Sequence, residues 1–135
     1  MDKVLNYENL KTLHEGNDIL VFQAEYLMDH KKCIVKAIKS ARPSLEQLAA
    51  LRHEYQINNG LAMQGLVHCQ RLVEQADAHL LVFDDVAGVN LKTYLNGQAI
   101  SLEQFFPIAL EIASCLAELH DNKICLLYTS DAADE

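Results

Sequence analysis

Residues 33–39 read "CIVKAIK", and the placing of these seven letters decides what the rest of the chain can be. The run is rich in β-branched residues and is bounded by polar "MDHKK" (28–32) before and "ARPS" (41–44) after, which predicts a strand. A strand needs partners, and two lie just upstream. "ILVFQAEYL" (19–27) is β-branched and aromatic, the stretch from Tyr7 to His14 alternates loosely, and the turn-forming "HEGND" (14–18) lies between them. Residues 7–39 therefore read as three consecutive antiparallel strands. The last of them carries two lysines, Lys36 and Lys39, and one that faces a closed surface needs a carboxylate to offset its desolvation.

Working outward, "ARPSLEQLAALRHEYQINNG" (41–60) has the marks of a helix. Ser44 can cap free N–H groups, Glu46 suits the positive end of the dipole, and "NNG" stops the helix. Leu45, Leu48, Leu51 and Tyr55 recur at helical spacing, so this stripe is expected to pack on the sheet. Two more strands come next, "LVHCQRLVE" (66–74) and "HLLVFDD" (79–85), joined by the polar "QADA" (75–78) as a hairpin. After "VAGVN" (86–90) the pattern turns helical, with a short "LKTYL" (91–95) and then "SLEQFFPIALEIASCLAELHDNKI" (101–124). Ser101 and Gln104 have the spacing of a capping box, and Phe105, Ile108, Ile112, Leu116 and Leu119 mark one apolar face. Pro107 sits near the start, where it is tolerable in the first turns and costs more if it lies deeper. The expected fold class is α+β: about five antiparallel strands and one helix, then a short and a long helix.

Composition narrows the function classes. The 135 residues are 50% apolar and carry a net charge of −8, which disfavours attraction to nucleic acid or to an anionic membrane surface. No apolar run approaches the roughly 20 residues of a spanning helix, and the amino terminus lacks the pattern of a secretory signal. A cytoplasmic setting is expected. Cys33, Cys69, Cys115 and Cys125 form no C-x-x-C pair, and the six histidines show no zinc spacing. They read as free thiols and ordinary histidines, and no metal site is expected.

The order of these elements resembles a protein kinase amino-terminal lobe entering its carboxy-terminal lobe. "LHEGNDILVFQA" (13–24) resembles the glycine-rich loop, with Gly16 kept and His14 and Ile19 where the family has two further glycines. The resemblance implies that Val21 packs over adenine, and Ala24 also fits the pattern. "CIVKAIK" resembles the strand whose lysine neutralises phosphate charge while a glutamate on the next helix holds it. "RHEYQI" (52–57) offers Glu54 as that glutamate. Lys36 precedes Glu54 by 18 residues and Lys39 by 15, and the longer interval is nearer the family separation, so Lys36 is the expected partner. "HLLVFDDVAGVNLKTYL" (79–95) resembles the fifth strand, the hinge and the helix after it. By position Phe83 is the gatekeeper, the Asp84 carbonyl and Val86 amide bond the adenine edge, and Asn90 contacts ribose. Within the family, "RPSLEQLAALRHEYQI" (42–57) and "LVFDDVAGVNL" (81–91) are similar to the Ser/Thr kinase-like domain at the amino terminus of large bacterial multi-domain signalling histidine kinases.

These matches imply residues 1–86 as amino-terminal lobe and hinge, and 87–124 as the first helices of the second lobe. In the family the long helix runs into a His-Arg-Asp loop bearing the catalytic aspartate, and a later Asp-Phe-Gly motif supplies the main magnesium ligand. The chain contains neither, and no catalytic residue is assigned. Past Ile124 the chain reads "CLLYTSDAADE" (125–135), which resembles a translated sequencing-library adapter and is set aside as non-native, like a fusion scar. The resemblance thus implies an ATP-binding fragment of a kinase whose complete parent uses ATP and Mg2+. It is expected to be inactive as written, with protein substrates or adjoining signalling domains as further partners. A pseudokinase-type interaction module with little or no nucleotide binding is the alternative.

Overall fold

The computed structural model describes residues 2–124; the stretch 125–135, expected to be foreign, lies outside the described residues. Six strands and three helices succeed one another: β1 (Lys3–Val4), β2 (Tyr7–Glu15), β3 (Ile19–Tyr26), β4 (Lys31–Ile38), α1 (Leu45–Asn59), β5 (Cys69–Gln75), β6 (Ala78–Asp84), α2 (Leu91–Leu95) and α3 (Leu102–Asp121). The fold is α+β. All strands pair antiparallel in one sheet of order β1-β2-β3-β4-β6-β5. About five strands are expected from the pattern; the sixth is the two-residue β1, too short to leave a periodic signal.

The chain divides into two compact units. One holds residues 2–62 and Val67–Gly88, and the other holds Met63–Leu66 and 89–124.

In the first unit the period-two alternation of three strands separates two apolar faces. Leu20, Phe22 and Ala24 of β3, Cys33, Val35 and Ala37 of β4, and Leu80 and Val82 of β6 join Tyr7 in one buried cluster. Phe22, Val35, Leu80 and Val82 are fully enclosed, and burial of each large side chain contributes roughly 1.5–3 kcal/mol. The sheet curls around this cluster. Its edge strand β5 brings the Arg71 guanidinium 5.9 Å from the Tyr7 ring of β2 and 4.9 Å from the Tyr26 ring of β3, strands that are not its neighbours in the sheet.

On the other face Ile38, Cys69 and Leu81 meet Leu51 of α1, with Leu48 and Tyr55 packed around them. The helix begins with a capping box in which Ser44 Oγ accepts from Gln47 N–H and Gln47 Oε1 accepts from Ser44 N–H. Leu45, expected in the apolar stripe, is 84% exposed; at the first helical position it precedes the turn that meets the sheet. At the other end buried Asn58 bridges the chain, donating to the Val67 carbonyl at 2.8 Å and accepting from Cys69 N–H at 2.7 Å. That pair of bonds fixes where β5 starts.

In the second unit Asn90 caps α2 and Ser101 caps α3, the latter through the expected capping box with Gln104. Pro107 lies within α3, which has no fully buried residue. It packs on the segment before β5: a Cβ placed on Gly65 would sit 1.9 Å from Cys115 Sγ, so any larger residue there has to displace that sulfur.

Candidate functional site

Cross-strand register puts the candidate residues of the first unit on the face that α1 covers. Lys36 lies between Val21 of β3 and Leu81 of β6, and Ile34 lies between Gln23 and Phe83 on the next rung. Directly opposed residues in an antiparallel pair share a face. Val21, Lys36 and Phe83 are all half-buried there, whereas Ala24 belongs to the enclosed cluster behind them.

The two lysines of "CIVKAIK" have different partners. Lys36 Nζ donates to Glu54 Oε2 of α1 at 2.6 Å, with the side chains 30% and 39% exposed. Such a half-exposed pair adds only about 0–1 kcal/mol to stability. What it does is hold an ammonium group at a defined place beside Val21. Lys39, just past the end of β4, ties down the tip of the β2–β3 hairpin. Its N–H donates to the Asp18 carbonyl at 2.8 Å, and its Nζ to Glu15 Oε1 at 2.9 Å and the Gly16 carbonyl at 3.2 Å. The Lys39 ammonium holds the Glu15 carboxyl below its ordinary value.

Both backbone polar groups of Gly16 are engaged. Its N–H donates to the Ile19 carbonyl at 2.9 Å, while its carbonyl accepts from Lys39 Nζ at 3.2 Å. The hairpin tip is therefore closed on itself, with its only glycine amide turned to the Ile19 carbonyl.

Beyond β6 the chain carries the hinge-like segment. Asp84 N–H donates to the His68 carbonyl at 3.0 Å, and Asp84 Oδ1 accepts from Gln70 at 2.7 Å. Val86 is 66% exposed. Between them Asp85, which no motif in the sequence marks, makes the local geometry. Its Oδ2 accepts from Gln23 Nε2 at 2.6 Å and its Oδ1 from Ala87 N–H at 2.9 Å, and Ala87 sits at φ 53°, which costs a non-glycine residue energy. These two bonds, Gln23 first, hold the Asp85 carboxyl below its ordinary value. A contact from β3 to the strand exit is non-local in sequence, so only a pairing of Gln23 with Asp85 across 62 residues could have announced it. Asn90 lies in the second unit, where its side-chain oxygen accepts from Thr93 N–H at 2.8 Å.

The first unit thus brings together Val21, Lys36, Glu54 and Phe83 on one face, with Asp84 and Val86 at its exit. Among the described residues no group of three or more His, Cys, Asp or Glu is placed to hold a metal ion, and no helix is long and apolar enough to cross a membrane. The chain matches a family model described as protein tyrosine and serine/threonine kinase over residues 7–125. No curated protein matches it.

Proposed function

Because the chain belongs to the protein tyrosine and serine/threonine kinase family, we propose that its first unit is an ATP-binding lobe of a Ser/Thr kinase-like domain from a bacterial multi-domain signalling protein of the cytoplasm. The observation that carries this reading is the Lys36–Glu54 pair, 2.6 Å long and flanked by Val21 on the half-buried face. An ammonium held by one carboxylate keeps donors free for phosphate oxygens, and the carboxylate limits the entropy lost when ATP arrives. Val21 and Phe83 bound the adenine, the Asp84 carbonyl and Val86 N–H pair with its edge, and Asp85 holds the segment that carries them. Gly16 lies at the loop tip.

ATP supplies the transferable phosphoryl group and Mg2+ neutralises its charge; this chain's residues bind and orient the nucleotide. The 135 residues contain no His-Arg-Asp and no Asp-Phe-Gly, so a base for the substrate hydroxyl is missing and the chain as written transfers no phosphate. Titration with Mg-ATP should show saturable binding, and a phosphotransfer assay should show no turnover. Turnover that Lys36→Ala abolishes would overturn the second statement.

A second reading has its own support. With both backbone polar groups of Gly16 taken, and His14 and Ile19 in place of glycines, the tip offers little to a phosphate. A pseudokinase-type module that engages neighbouring signalling domains fits that observation, and absence of ATP binding in the titration would select it.

A further inference from the structure

Asp85 occupies a position of leverage at the exit of β6. The peptide before its Cα carries the Asp84 carbonyl and the peptide after it carries the Val86 N–H, the two groups assigned to the edge of the base. Whatever fixes the backbone of Asp85 therefore fixes both at once. Its own carboxylate does part of this, because Oδ1 accepts from Ala87 N–H at 2.9 Å and so closes an Asx turn around Val86. The turn is held against a cost: the left-handed φ of 53° falls on Ala87 and not on Gly88 beside it.

An Asx turn on its own leaves the carboxylate attached only to the segment it orders. Here the second oxygen is anchored in the sheet. Asp85 Oδ2 accepts from Gln23 Nε2 of β3 at 2.6 Å, in a part-buried bond. Gln23 is in register with Ile34 of β4, and Ile34 with Phe83 of β6, so the bond reaches across β4 to the far strand. Val21, two residues before Gln23, faces the same side, that of Lys36. One side chain thus joins the wall assigned to stack on the base with the segment assigned to read its edge. Gln23 first, then Ala87 N–H and the Lys32 ammonium, hold the Asp85 carboxyl below its ordinary value, which keeps the acceptor ionised and the bond charge-assisted.

We propose that Gln23 is a positioning residue for base selection: acting through Asp85, it fixes a carbonyl followed by an N–H at the exit of β6, an order that accepts adenine and rejects guanine. The proposal rests on the nucleotide reading above. Adenine presents an amino donor beside a ring-nitrogen acceptor, the complement of that order. Guanine presents an oxygen acceptor beside an N–H donor, so each group meets its like, and sites that leave polar groups unpaired discriminate strongly. A peptide free to turn over would offer guanine the opposite order. With Asp85 held from both of its oxygens, the segment lacks that freedom.

Calorimetric titration of the full 135-residue chain with adenosine, guanosine and inorganic tripolyphosphate tests this. The unmodified chain should prefer adenosine to guanosine by about tenfold or more. Gln23→Met, which keeps the length of the side chain and removes its amide, should weaken adenosine binding about fivefold. Guanosine should lose less, so that the preference falls, and tripolyphosphate, which has no base, should bind as before; a merely structural loss would weaken all three together and would overturn the proposal. In an Asp85→Ala chain Gln23→Met should have no further effect, and an added loss there would show that Gln23 does not act through Asp85. An unaltered preference in folded Gln23→Met overturns the proposal and leaves the nucleotide reading standing. Should Gln23→Met not fold, an unaltered preference in Asp85→Ala overturns it equally. Absence of adenosine binding to the unmodified chain overturns both.

Discussion

Both units of this chain carry apolar stripes, and they use them in opposite ways. In the first, strands alternate so that one set of side chains is enclosed by the curl and the other is covered by α1: Phe22, Val35, Leu80, Leu81 and Val82 are all 0% exposed. In the second, the stripe on α3 stays open, with Phe105, Ile112 and Leu116 at 47%, 48% and 38% exposed. A sheet that curls supplies much of its own cover. A helix stripe has to be covered by something else, and exposed apolar area of this kind invites self-association.

The sharpest way to break that comparison is to remove one side chain from each unit. Phe22→Ala is expected to lose about 3–5 kcal/mol of stability, whereas Leu110→Ala on α3, where Leu110 is 66% exposed, should lose less than about 0.5 kcal/mol. Denaturant titration of the two variants reads both numbers, and equal losses would mean that α3 is covered as fully as β3.

A smaller effect tests the close approach of Gly65 to Cys115 in the second unit. Gly65→Ala puts a methyl group where Cys115 Sγ already lies, and such overpacking costs about 1–3 kcal/mol. Cys115→Ala in the same chain should restore most of it, because the clash is with that sulfur and Gly65 has no positive φ to lose. A double variant as unstable as Gly65→Ala alone would show that the strain lies elsewhere.

The smallest effect concerns acid. The Asp85 carboxyl is held below its ordinary value of 3.8 in the folded chain, so its contribution is complete above that pH and is lost as pH falls through the lower folded value. Asp85→Asn should therefore reduce the stability lost as pH falls below the ordinary value of 3.8, seen as a shallower acid limb in unfolding curves, and leave the curve at higher pH parallel to that of the unmodified chain. An unchanged acid limb would remove Asp85 as the clamp on Ala87.

How much was legible in the sequence depends on range. The three-strand meander, the Ser44 and Ser101 caps and the hairpin before "HLLVF" are local patterns, and the chain adopts them. Choosing between Lys36 and Lys39 needed more than local pattern, since alternation alone does not say which end of β4 meets a helix; the resemblance to the kinase family, whose usual separation the 18-residue interval to Glu54 approaches, supplied it. Lys39's hold on the hairpin tip depends on where the β2–β3 turn ends in space, and no spacing encodes that. The Gln23–Asp85 bond and the stacking of Arg71 on Tyr7 and Tyr26 join elements that are neither sequential nor, for Arg71, adjacent in the sheet. They arise from the curl, which the alternation permits without specifying. Leu45 shows the reverse error, a residue in register with its stripe but one turn too early to reach the sheet.

The central claim is that Lys36, placed by Glu54, serves the phosphates of ATP. Calorimetric titration with ATP and with adenosine, on the unmodified chain and on Lys36→Ala, separates phosphate from base. The account predicts that Lys36→Ala weakens ATP binding about tenfold or more, the scale of one lost charge-assisted contact, and leaves adenosine binding unchanged. Equal ATP affinity in the two proteins would contradict it.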